Sequence, residues 1–300
     1  MITTIKRTVE LWKNRYRYEL PQDIESRLSR LETLSHGGRA TYVGNNRVLN
    51  KVVTAGMNFA YLVEANDLLI SPWFIITGAY EISLTDYFLK NVTRDDHCLD
   101  VGSNFGFFTC LLSRLASNGM VLAIEPDRHV FELCRDNIMI NGLQHVASAI
   151  HAAANSTGEE LVLHRRVGRS GNTSVVCADE SFTEMLGEPP AEAFTCAGLR
   201  IDDLLPRLKG KLDFMKIDVE GAEPDAFRGA QKTIATNPQL KIVMEWSPGQ
   251  IASNGGSPSD FLDELSGQGL TFFNIDSGVV MSKSDVLNTD YAAGLVMYKR

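Results

Sequence analysis

Three carboxylates fall close together in Asp218-Val219-Glu220-Gly221-Ala222-Glu223, with Lys216 just before them and Pro224 just after. Proline suits the first turn of a helix and drives the residue before it out of helical geometry, so these acids belong to a loop between a strand and a helix. Acids this close repel one another, which raises the proton affinity of at least one. Such a group suits a general base toward a hydroxyl or amine, or a set of oxygen ligands for a divalent cation, Mg or Ca rather than Zn. Metal-free proton transfer is the preferred reading, with Asp218 as base or substrate orienter and Glu220 and Glu245 shaping the acceptor site. Glu223 and Asp225 are also explained as acids favoured by a helix N-terminus; Asp218, at a strand end, is not. Glu245 ends a later apolar run and either orients substrate or pairs with Lys216. His151 is a minor candidate for proton transfer.

A second group of residues is suited to holding a ligand. Asp100-Val101-Gly102-Ser103-Asn104-Phe105-Gly106 closes an apolar run and leads into Phe107, Phe108 and Thr109. Glycine lets a backbone turn sharply and approach a ligand closely. A dinucleotide loop would need glycine at its third and sixth positions, where Asn104 and Phe107 stand, so the pyrophosphate cradle is missing. The DxGxxxG spacing instead suits a cofactor without phosphates, its amino-acid end held by backbone groups and by Asp100. That describes S-adenosylmethionine (SAM). One helix and one strand later, Glu125 precedes Pro126 and can accept both hydroxyls of a ribose. The expected cofactor set is Asp100, Gly102, Ser103, Asn104, Gly106, Phe107, Thr109, Glu125 and Pro126, with Asp218 shared between cofactor and chemistry.

The elements that position these residues follow from the alternation of apolar runs with helical periodicity after about residue 97, which marks a doubly wound α/β sheet. HCLDVG, MVLAIEP, ASAIHAAA, LDFMKID and QLKIVMEW read as strands one to five. FFTCLLSRLAS, RHVFELCRDNIMIN and PDAFRGAQKTIA read as helices. Ligands of such sheets bind beyond the carboxyl ends of the strands. A stretch rich in Gly, Ser, Thr and Glu, about 155–200, is an insert of antiparallel strands or a lid. Before the sheet, Pro21 separates two short amphipathic helices within residues 1–35, and 37–66 suggests a few strands or an irregular cap. The expected division is 1–80 and 81–300.

The formal net charge is −8 over 300 residues, which gives no general attraction for nucleic-acid phosphates or anionic lipid and favours a small or neutral acceptor. Cys98, Cys110, Cys134, Cys177 and Cys196 show neither a CxxC pair nor metal-type spacing, as expected of reduced core residues in the cytoplasm. The N-terminus lacks the apolar stretch of a secretory signal, and LLISPWFIITGAY is too short to span a bilayer. No membrane or nucleic-acid partner is expected, and residues 1–80 are free to cover the acceptor or mediate a homo-oligomer. Three competing readings stand. A nicotinamide oxidoreductase shares the fold but lacks its glycines here. A nucleic-acid methyltransferase would use Arg165, Arg166 and Arg169. The third is a silent SAM-binding module.

WFIITGAYE, LDVGSNFGFFT, AIEPD, Asn141 to Leu143, LRIDDLL, KIDVEGAE with its following RGA, and VMEWSP occur in this order over about residues 70–250. Together they resemble the FkbM family of SAM-dependent methyltransferases, KIDVEGAE being the most specific element. The resemblance implies a class I methyltransferase fold and O-methylation of a hydroxyl on a natural product, sugar or glycan. It further implies that Asp100, Gly102, Asn104 and Glu125 line the SAM pocket, that Tyr80 and Glu81 cover it, and that Asp218 and Glu220 face the transferred methyl.

Overall fold

The computed structural model describes residues 39–169, 171–176 and 189–299. The helices expected before residue 36, and Cys177, lie outside the described residues. The chain divides into two compact units, Met1–Tyr80 and Glu81–Arg300.

In the first unit, β1 (Ala40–Gly44), β2 (Arg47–Thr54) and β3 (Met57–Glu64) form an antiparallel meander. Its turns are set by Asn45-Asn46 and Ala55-Gly56, all with positive φ, as two-residue hairpin turns require. Phe59, Tyr61 and Val63 alternate inward along β3. Helix α1 (Ile70–Thr77) ends on Gly78 in the left-handed region. Asn50 Nδ2 donates to the Phe74 carbonyl of α1 at 3.1 Å, and Phe74 meets Tyr61 edge-on.

The second unit opens with α2 (Ile82–Asn91) and then alternates strand and helix. These are β4 (His97–Val101), α3 (Phe107–Leu115), β5 (Met120–Glu125), α4 (Arg128–Ile140), β6 (Ala147–His151) and the short β7 (Ala153–Ala154). The insert follows as an antiparallel pair, β8 (Leu161–Arg165) with β9 (Glu192–Cys196), and β10 (Gly198–Leu199) pairs with β7. Then come β11 (Phe214–Ile217), α5 (Glu223–Arg228), α6 (Gln231–Thr236), β12 (Lys241–Trp246), α7 (Pro248–Ser253) and α8 (Pro258–Gly267). The chain ends with β13 (Leu270–Asn274), β14 (Val279–Met281), α9 (Lys283–Leu287) and β15 (Ala292–Lys299).

The main sheet runs β14-β13-β15-β12-β11-β4-β5-β6. Strands β6 to β12 are parallel, and β15 is inserted antiparallel between β12 and β13. Buried on both faces, the central strands read as continuous apolar runs, for example Val121, Leu122, Ala123 and Ile124. On α4, Val130, Leu133, Cys134, Asn137 and Ile138 form one buried stripe. Asp127 caps that helix by accepting from His129 N at 2.9 Å.

PDAFRGAQKTIA, expected as one helix, is two, broken at Gly229-Ala230. A Cβ on Gly229 would lie 2.2 Å from the Asn155 carbonyl oxygen, and its own carbonyl accepts from Asp202 N. The Asp202 carboxylate then caps α6 from a distant part of the chain, accepting from Thr233 N at 2.7 Å and Thr233 Oγ at 2.8 Å. Docking of another segment ends the helix, which periodicity alone cannot register.

The chain leaves β4 toward β5 and leaves β11 toward β12, so the crevice of the sheet opens between β4 and β11. Gly102, just after β4, has φ 75°, and a Cβ there would stand 1.7 Å from the Asp218 carbonyl oxygen. Gly142, at φ 67°, faces open space. In urea unfolding, Gly142→Ala should therefore cost only the left-handed strain of about 1–2 kcal/mol. Gly102→Ala adds backbone overlap and should cost at least about 3 kcal/mol or prevent folding.

Candidate active site

The loop after β4 turns on Gly102 and then on Asn104 and Gly106, all at positive φ. Gly102 N and Ser103 N both donate to the Ile124 carbonyl at 3.0 Å, which ties the turn to β5. A Cβ on Gly106 would meet Cys134 Sγ at 2.8 Å, so α3 starts hard against α4. Asn137 Nδ2 donates to the Phe105 carbonyl at 2.7 Å, and Ser103 Oγ donates to Cys134 Sγ. Phe107 is buried, edge-on to Phe108.

Two acids stand at this end. Asp100 is fully buried; its Oδ2 accepts from Thr109 Oγ at 2.6 Å and its Oδ1 accepts no hydrogen bond. Burial raises its proton affinity, against the opposing pull of Lys216 and Thr109. Glu125 Oε2 accepts from Asn104 N and Oε1 from Asp127 N, both at 2.9 Å. Burial pushes Glu125 up to about 8, opposed by those two N–H groups. The main chain fixes the carboxylate, and each oxygen keeps a second lone pair for a diol. An unsatisfied buried Asp100 oxygen, a fixed Glu125 and a turn that admits no side chain at Gly102 fit a compact ligand bearing an ammonium and a ribose, as SAM does.

The second cluster lies across the crevice. Asp218 N donates to the Val101 carbonyl at 3.0 Å, which sets the loop after β11 beside the loop after β4. Lys216, the register partner of Asp100, donates to Asp218 Oδ2 at 2.9 Å, and its Nζ lies 3.9 Å from Asp100 Oδ1. Lys216 does not hydrogen-bond Glu245, the pairing open from the sequence. Tyr291 Oη takes that place, donating to Glu245 Oε1 at 2.8 Å. Glu245 sits in an irregular step of the β12–β15 ladder, and Trp246 Nε1 donates to the Thr289 carbonyl, which fastens the Tyr291 segment to the end of β12.

Glu220 has φ 54°. Its carboxylate accepts from Gln250 Nε2 and its carbonyl from Asn254 Nδ2, both on or just after α7. From the insert, Asn172 bonds its side chain and Ser174 Oγ donates to its carbonyl. Glu223 turns back into the loop, Oε1 accepting from Val219 N and Gly221 N. Burial first, then the neighbouring acids, push Glu220 up to about 9 and Glu245 up to about 8; burial pushes Glu223 up to about 7. The buried side-chain atoms left without partners here include Glu223 Oε2, Glu245 Oε2, Gln250 Oε1 and, between Asn172 and Ser174, the Thr173 hydroxyl. Among the described residues no group of three or more His, Cys, Asp or Glu is arranged to hold a metal ion.

His151 is not part of this cluster. Its Nε2 donates to the Pro126 carbonyl at 2.9 Å and its ring packs on Phe131, on the edge strand β6. Glu81 precedes α2 at φ 37°, and its charge acts on Lys216. Tyr80 closes the first unit, its ring edge-on to Phe74. Sequence reading missed Tyr291, Gln250, Asn254, Asn172 and Ser174. No local pattern marks them, since they reach the acids from distant parts of the chain.

Five carboxyls with raised proton affinity, Asp100, Glu125, Glu220, Glu223 and Glu245, have a consequence for stability. Each binds its proton more tightly folded than unfolded, so its contribution is full below the unfolded value and is lost as pH rises through the folded one. The thermal midpoint of ligand-free protein should fall between about pH 5 and pH 9. Glu223→Gln, which keeps an acceptor for Val219 and Gly221 N–H, should make the fall shallower up to about pH 7 by removing the share of Glu223, and leave the shares of the other acids in place.

The model of the methyltransferase FkbM domain matches residues 100–271, more than half of the chain and the whole of the crevice up to β13. The chain is similar to methyltransferase sdnD of Sordaria araneosa, 23% identical over 195 residues, covering 57% of this chain and 75% of that protein. It is also similar to methyltransferase 1 of Beauveria bassiana, 27% identical over 152 residues, covering 45% of this chain and 58% of that protein. Among solved structures it is similar to methyltransferase FkbM from Methylobacillus flagellatus KT at 13% identity and TM-score 0.42, covering 75% of this chain and 52% of that one. The chain belongs to the FkbM family of SAM-dependent methyltransferases.

Proposed function

We propose that the protein transfers a methyl group from SAM to a hydroxyl of a small natural product, sugar or glycan. The observation that carries the acceptor class is the set of unpartnered buried oxygens on Glu223, Glu245, Gln250 and Thr173, which suits hydroxyl groups that can both donate and accept.

When bound, SAM supplies a methyl carbon made electrophilic by its sulfonium. The protein has to hold the acceptor oxygen in line, keep water away and take a proton. Asp100 and Glu125 hold the amino-acid and ribose ends, with the main chain at Gly102 to Asn104 between them. Asp218 spends one oxygen on Lys216 and has the other for the acceptor hydroxyl, which suits an orienter. Glu245 is the better proton acceptor, because burial and the Asp218 charge raise its affinity for a proton and Tyr291 fixes its direction. Glu220, held by Gln250, completes the wall of the acceptor site.

Isothermal titration should show micromolar SAM binding and no NADH binding, with Glu125→Ala weakening SAM by about tenfold or more. A folded protein that does not bind SAM removes the proposal. Methyl transfer from labelled SAM, screened over sugars and phenols, should rise with pH through about 8 as Glu245 loses its proton. Glu245→Gln should lower that rate by about a hundredfold with SAM affinity kept. Retained turnover would take Glu245 out of proton transfer.

A further inference from the structure

The lysine of the second cluster is buried in a region otherwise populated by acids. Lys216 is 4% exposed, and its ammonium lies 5.4 Å from the centre of the Phe108 ring, so little water reaches it. Strand register puts it directly beside Asp100, on the two strands that flank the crevice. The distances are unequal: 2.9 Å to Asp218 Oδ2 and 3.9 Å to Asp100 Oδ1. The hydrogen bond therefore goes to Asp218, while Asp100 receives the charge without the hydrogen atom. Asp100 Oδ1 is left buried and accepting nothing.

We propose that Lys216 is a positioning residue for the cofactor: bonded to Asp218, it keeps Asp100 ionised across the crevice while leaving Asp100 Oδ1 open to a cationic ligand group. The inference rests on the assignment of SAM to this end and adds a residue that acts on the cofactor only through Asp100. A carboxyl this deeply buried would otherwise take up a proton and offer nothing to an ammonium. A lysine bonded directly to Asp100 would ionise it but occupy the oxygen. Burial alone would lower the proton affinity of Lys216, and the charges of Asp218, Asp100 and Glu81 more than reverse this, so the lysine stays charged. Glu245 also lies in the field of Lys216, and Glu125, Cys98, Cys110 and Cys134 in that of Asp100.

The test is a double-mutant cycle read by isothermal titration with SAM. Lys216→Gln keeps a donor for Asp218 and removes the charge; it should weaken SAM by about tenfold or more at neutral pH. The same substitution in an Asp100→Asn background should change SAM affinity by less than about twofold, because the group it acts through is gone. In Lys216→Gln alone, SAM affinity should gain a rise with pH, absent from Asp100→Asn/Lys216→Gln, as Asp100 ionises. Lys216→Met gives the same comparison if the glutamine protein does not fold. Equal losses in both backgrounds, or no loss in either, would overturn the proposal while wild-type SAM binding still stood. Failure of the wild-type protein to bind SAM would overturn both readings.

Discussion

The contact between Gly102 and the Asp218 carbonyl is the constraint on which the rest of the site depends. Two parallel strands must end side by side, and their loops must part in opposite directions, with no room for a single methyl group between them. Because Asp218 N also bonds the Val101 carbonyl, the loops are locked together before any side chain is considered. From that junction the ligand-holding residues fan toward β5 and the acids toward β12. The distance between cofactor end and acceptor end is thus set by neighbouring strands, which are among the least adjustable separations in a protein.

The electrostatics follow from crowding around the same junction. Asp100, Asp218, Glu220, Glu223 and Glu245 gather where, among the described residues, Lys216 supplies the buried positive charge in direct contact. Ionising all five at once would be costly in so dry a place, and four of them, Asp100, Glu220, Glu223 and Glu245, hold protons more tightly than usual. The strain extends to the backbone, since Glu220 is a non-glycine residue at φ 54°. Side chains from α7 and from the insert hold it there, so the site draws support from three separate stretches of chain.

Much of this could be read from local pattern. HCLDVG, AIEPD and KIDVEGAE each combine a strand, a turn and an acid within a few residues, and the turn chemistry of Gly102 and Pro224 reports itself. What escaped reading depends on tertiary contacts. The break between α5 and α6 exists because Asn155 and Asp202 dock there. Lys216 stands opposite Val243 on β12, short of Glu245, and bonds Asp218, while Tyr291 arrives from a distant segment to take the glutamate. His151 faces a main-chain carbonyl because its strand is the edge of the sheet. None of these choices has a signature within a window of neighbouring residues.

The insertion of β15 between β12 and β13 also bears on how the molecule is made. On a ribosome, β12 and β13 are made before the strand that joins them; β11 and β14 cover their outer sides, but the sides that face each other stay open until residues 292–299 follow. For that interval the nascent chain carries two open, apolar sheet edges, the situation that invites pairing with other chains. The segment that closes the gap is the one that brings Tyr291 to Glu245. Completion of the sheet and completion of the acceptor side are therefore a single event in folding.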